Sequence, residues 1–91
     1  MKVKVKNMIS DKGNTIANQF IITTSKGRFF QSYDSIIAFI PFENKPVQLD
    51  KNYWDYSVTT GKYRNRFLSE YKAETEQKIE NKIYKLTDLN K

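Results

Sequence analysis

Ninety-one residues are enough for one small domain with one thin core. A net charge of +6 and a pI near 9.6 favour anionic partners: nucleic acid, an anionic membrane or an acidic protein surface. The absence of cysteine and histidine excludes disulfides, thiolate metal sites and the commonest neutral-pH acid–base group, so no enzyme, metal or cofactor is expected.

MKVKVKNM (1–8) alternates with period two and predicts a half-buried strand, Val3 and Val5 inward and Lys2, Lys4 and Lys6 outward. SDKGN (10–14) supplies turn residues. QFIITT (19–24) and RFFQSY (28–33) flank SKG, a hairpin in which Gly27 is expected to take the left-handed conformation of a bulged turn. DSIIAFIPF (34–42) reads as a further strand with Pro41 marking its end, and VQLD (47–50) as a short last one. Four to five strands in residues 1–50 joined by short loops predict an antiparallel meander, since no crossover helices separate them. The longest apolar run, IIAFI (36–40), is far below the roughly 20 residues that span a bilayer, and the first residues lack a signal peptide's apolar stretch. A soluble intracellular chain is expected.

The pattern changes after Asp50. A packing helix over 57–70 is predicted, with Ser57 as N-cap and Asp55 placed where the helix dipole favours negative charge. Tyr63, Phe67 and Tyr71 fall on one face with Leu68 beside them, Lys62 and Arg66 fall opposite, and Arg64 lands inside the apolar stripe. Thr75, Ile79, Ile83 and Leu86 form a second, rotated stripe, so a helical tail over 72–88 is predicted after a break near Ser69–Ala73. Strands first and helices last make an α+β domain over 1–91.

Residues 1–50 and 51–68 each carry an excess of three positive charges, whereas 69–91 are neutral and include Glu74 and Lys78 at i, i+4 spacing. The basic side chains Lys2, Lys4, Lys6, Lys62 and Arg66 are the candidate phosphate or partner contacts. For the lysine row, protection of an edge strand is the plainer role. YWDYSVTTGKYRNRFL (53–68) interleaves rings with cations. Tyr63 and Phe67 have core spacing, while Trp54 and Tyr56 suit either a sheet–helix seam or an exposed binding anchor. Arg64 must be paired or stacked: a clamp to Asp55 or Asp34 is the structural reading, a guanidinium kept for a phosphate or carboxylate the functional one. Glu76–Lys78 and Glu80–Lys82 have nuclease-like spacing but lack a companion acid on a preceding strand, and TTGK (59–62) lacks the glycines of a phosphate loop.

Tyr33, Ser35, Ile37 and Ala38, followed by Leu49, Asp50, Trp54, Asp55, Tyr56, Ser57, Thr59, Thr60, Lys62, Tyr63, Phe67 and Leu68, resemble the shared core of a widespread set of small bacteriophage proteins of uncharacterised function. The resemblance covers the central half of the chain. It implies a phage origin, the bacterial host cytoplasm and a small non-enzymatic accessory role, with no activity or ligand attached. Three expectations follow: inhibition or redirection of a host protein such as a CRISPR or other defence complex; direct DNA or RNA binding through the basic residues; or dimerisation through the C-terminal helix.

Overall fold

A computed structural model describes residues 2–91. Six strands form one sheet in chain order: β1 (Lys4–Ile9), β2 (Thr15–Thr23), β3 (Gly27–Ser32), β4 (Ser35–Pro41), β5 (Gln48–Asp50) and β6 (Lys85–Thr87). Two helices, α1 (Val58–Leu68) and α2 (Lys72–Glu80), connect β5 to β6. The fold is α+β, an antiparallel meander followed by helices, with one strand more than expected. β6 runs parallel to β5. Parallel neighbours need a crossover connection, and the two helices provide it.

The predicted helical tail over 72–88 is thereby corrected. α2 stops at Glu80, Lys82 takes a positive φ of 60°, and residues 85–87 are strand. The reason lies in β5, whose outer backbone groups need partners. The Lys85 N–H donates to the Val47 carbonyl and the Lys51 N–H to the Thr87 carbonyl, both at 2.9 Å.

Cross-strand register sorts the side chains onto two faces. Lys6, Ile21, Phe30, Ala38, Leu49 and Leu86 share one face; Val5, Ile22, Phe29, Phe39, Gln48 and Lys85 share the other. The core of Met8, Phe30, Ile37, Ala38, Leu49 and Phe67 lies on the first, where the Phe67 ring of α1 sits 5.7 Å from Phe30. The expected polarity of the first strand is therefore reversed. Lys4 and Lys6 lie on the helix-bearing face with Met8, while Val3 and Val5 are exposed, Val5 by 60%. Met8 reaches the buried core but residues 4 and 6 do not, and no helix among the described residues is layered over the valines.

Two irregularities shape the sheet. Ile37 is the extra residue of a bulge in β4, which lets it and Ala38 both be buried. Gly27 has φ 157°, a positive value that residues with side chains rarely adopt, though not the left-handed value of about 60° expected for a bulged turn. Glycine is needed there for space: a Cβ would strike the Ile40 carbonyl oxygen and lie 2.7 Å from the Phe39 ring.

α1 begins where the Thr60 N–H donates to Ser57 Oγ at 3.1 Å. It ends at Ser69 in a left-handed conformation, φ 57°, with the Glu70 N–H reaching back to the Asn65 carbonyl at 3.1 Å. This is the break expected between Ser69 and Ala73. Phe67 is buried and Tyr63 packs half-buried against the core. Tyr71, predicted on the same stripe, lies past the break and is 78% exposed. In α2, Thr75 is buried and Ile79 meets the core, but Ile83 and Leu86 are exposed because the helix has already ended. No helix among the described residues is long and apolar enough to cross a membrane.

Candidate functional site

The residues before α1 are organised by two side chains. Buried Asp50 accepts the N–H groups of Asn52 and Tyr53 on Oδ2 at 3.0 and 2.9 Å, folding the turn that carries Trp54. Arg64 holds that turn against the helix. Its Nη1 donates to the Trp54 carbonyl at 2.7 Å and to Asp55 Oδ1 at 3.0 Å, Nη2 donates to Asn65 Oδ1 at 3.1 Å, and the guanidinium lies 5.1 Å from the Trp54 ring centre. The clamp is thus made with Asp55, on the loop before the helix rather than on a strand. Arg64 is only 1% exposed, so its place among the candidate contacts is withdrawn: the guanidinium is consumed inside the protein. Trp54 half-buries against the core and fills the seam.

Asp55 also accepts from Lys72 Nζ at 2.7 Å, which joins the start of α2 to the same loop. Burial pushes the Asp55 carboxyl up, but hydrogen bonds from Lys72 and Arg64, with their charges, bring it below the ordinary value of 3.8. Around this pair lies an open groove lined by Tyr56, Val58, Lys62, Asn65, Tyr71 and Lys72, among other residues. Val58 is 92% exposed on the first turn of α1, and Tyr56 packs edge-on against Tyr53 with its own ring partly bare. Uncovered apolar groups therefore stand beside Lys62 and Lys72, with Asp55 already paired.

The remaining cations gather elsewhere. Arg66 donates to the Ile9 carbonyl at 2.7 Å, tying the end of α1 to β1. Arg28 pairs across β2 with the row that holds Lys4, and its guanidinium lies 5.6 Å from the Phe67 ring centre. Arg28 and Arg66 border one hollow with Met8, Ile9, Ile21 and Phe67, on the face that also carries Lys4 and Lys6. Lys2 is exposed just ahead of β1. Lys62 lines the other groove, so the sequence-predicted cations divide between two places. Arg28 was not among the candidates. Its signal was the two-residue spacing from Phe30, which puts both on the same side of the strand.

A second polar centre was not anticipated. The Glu70 carboxylate, nearly buried, accepts from Thr75 Oγ1 at 2.5 Å, Lys78 Nζ at 2.8 Å and Tyr84 OH at 2.7 Å. Lys78 therefore pairs with Glu70 and not with Glu74, which instead accepts the Tyr71 N–H at 3.2 Å. Burial pushes the Glu70 carboxyl up, yet the bonds from Lys78, Thr75 and Tyr84 leave it below the ordinary value of 4.5. Tyr84 shifts up through burial and its bond to the Glu70 carboxylate.

Because Asp55 and Glu70 are depressed in the folded state, the unfolded chain takes up protons first as pH falls. Their stabilisation is complete above the ordinary values of 3.8 and 4.5 and is lost as pH drops through the lower folded values. Urea unfolding is expected to be nearly level from neutral pH down to about 5 and to weaken below it. Glu70→Gln should cost about 2 kcal/mol at neutral pH and flatten the acid limb. An acid limb identical to that of the parent would show that Glu70 is not among the responsible groups.

An antiparallel meander carries two helices on one face, with an apolar–cationic groove beside a buried Arg–Asp clamp. Residues 3–84 match DUF8033, a family of unknown function, and the chain belongs to that family. The match takes in β1 and α2, which lie outside the central motif. No curated protein and no solved structure matches the chain.

Proposed function

We propose that this chain is a non-enzymatic phage accessory protein that binds and inhibits or redirects a host protein, a CRISPR or other defence complex being the class of target. The observation that carries the reading is the groove between the start of α1 and the start of α2. Val58, Tyr56 and Tyr71 offer exposed apolar surface there, and Lys62 and Lys72 stand beside them, with Asp55 already paired to the buried Arg64. Such a surface fits a protein segment in which carboxylates flank apolar side chains, since aromatic anchors supply binding energy and charge supplies orientation. The phage setting and the accessory role are supported by the resemblance that the central motif carries.

Direct nucleic-acid binding is the second reading, favoured by the convergence of Lys4, Lys6, Arg28 and Arg66 on one face, with Lys2 beside them. One set of measurements separates the two. Tagged wild-type protein recovered from phage-infected cells is expected to retain a host protein that is lost from a Val58→Glu, Tyr71→Ala variant. Equal retention by that variant rejects the groove. Binding to random duplex or single strands with a steep salt dependence, abolished by Lys4→Glu and Lys6→Glu, supports the second reading. No binding at low salt removes it.

A further inference from the structure

We propose that two copies of this chain associate face to face through the sheet surface that no helix covers. Val5, Ile22, Phe29 and Phe39 form one cross-strand row on that surface, and Phe20 and Ile36 belong to the next. None of these six joins the core or packs against it. The Phe29 and Phe39 rings stack 4.3 Å apart at the centre, Phe39 lying over the space Gly27 leaves open. This is a contiguous apolar strip on a chain whose other face is already occupied, and strips of this kind mark interaction sites.

Charge identifies the occupant. Each chain carries +6, so two copies repel unless they meet where neither presents a cation. Lys4, Lys6, Arg28 and Arg66 all lie on the opposite face. On the uncovered face the strand positions are apolar or uncharged apart from Lys85 on β6 and Asp50, which is buried in its own hydrogen bonds. Gln48 supplies an amide, which is self-complementary, while the Asn7 and Gln31 amides donate to the Ile16 and Tyr33 carbonyls at 3.0 and 2.7 Å and bring no charge. A strongly charged foreign partner would find nothing here to pair with. Apart from Lys85 at the β6 edge, a copy finds an uncharged surface like its own. Lys26, Glu43 and Lys45 border one corner as a polar rim, as interfaces commonly have.

The alternative routes to a dimer are less open. Thr75 and Ile79 of α2 face the protein's own interior, which uses up the stripe expected to mediate helix pairing. The lysines of edge strand β1 disfavour strand-to-strand extension. Two sheets packed about 10 Å apart and rotated by about 30° would give a four-layer assembly, helices outermost. Strand spacing and rise make the face about 20 by 15 Å. About 300 Å² per copy, or roughly 600 Å² in total, is the size of a weak, transient contact, so the association should be in the high-micromolar range.

Sedimentation velocity from low-micromolar to near-millimolar protein tests the proposal. The wild-type mass is expected to rise from 10.8 kDa towards twice that value. Ile22→Lys and Val5→Lys should each hold it at one chain with an unchanged circular dichroism spectrum. If Ile22→Lys does not fold, Val5→Lys decides alone, because Val5 sits exposed on the edge strand. A wild-type monomer throughout the range overturns the proposal, and so does a dimer that survives the folded variants. A monomer that floats with phosphatidylserine vesicles assigns the face to lipid and overturns it equally.

Discussion

Arg64→Ala is expected to lower the unfolding free energy by about 3–5 kcal/mol, the cost of removing one member of a buried ion pair. The guanidinium is 1% exposed and satisfies the Trp54 carbonyl, Asp55 and Asn65 at once. Truncation strands that carbonyl and leaves a void beneath the Trp54 ring. Arg64→Lys should recover little, because one ammonium cannot reproduce two nitrogens directed to separate acceptors while stacking on a ring. Small domains hold only about 5–15 kcal/mol in all, so a partly unfolded population at ambient temperature is expected for the alanine variant. Trp54 fluorescence during urea titration reads the change at the site itself. A loss below about 1 kcal/mol would show that the pair and its stacking are replaceable by solvent.

Asp50→Ala should cost about 3–4 kcal/mol, since its carboxylate accepts three backbone N–H groups and bonds to charged acceptors are worth about 1.5–3 kcal/mol each with incomplete additivity. Two of those groups, on Asn52 and Tyr53, form the turn after β5, and the third, Leu89 N–H at 2.7 Å, belongs to the segment after β6. Asp50→Asn keeps one acceptor oxygen and should lose roughly half as much. The distinguishing measurement is amide exchange. Protection should fall at Tyr53 and Leu89 together in Asp50→Ala, and exchange that quickens at only one of them would deny the bridging role.

Much of the fold was legible in local patterns. The hairpin around SKG, the strand ending at Pro41, the Ser57 cap and the break after Leu68 all rest on propensities of a few adjacent residues. What was not legible depended on residues far apart. Period two in MKVKVK identifies a strand but not its inner face; that depends on pairing Lys6 with Ile21 and on how far the core extends. The absence of helices between the first strands argued correctly for an antiparallel meander. It could not show that the later helices would themselves be a crossover returning the chain to β5. The same limit applied to the candidate site. Arg64 was identified as needing a partner, and Asp55 proved to be one. Glu70 gave no signal, because Thr75, Lys78 and Tyr84 meet it only once the break at Ser69 folds α2 back.

The parallel β5–β6 pair has a kinetic consequence. Each of the first four pairings closes a short loop, whereas the fifth must wait for residues 51–84 to be gathered in. By chain-closure entropy this costs about 2 kcal/mol more than a hairpin. The meander can therefore assemble early and β6 late, with Asp50 acting as the latch that receives Leu89. On the reverse journey the last rung is the first to be released, so the molecule has a built-in order of coming apart.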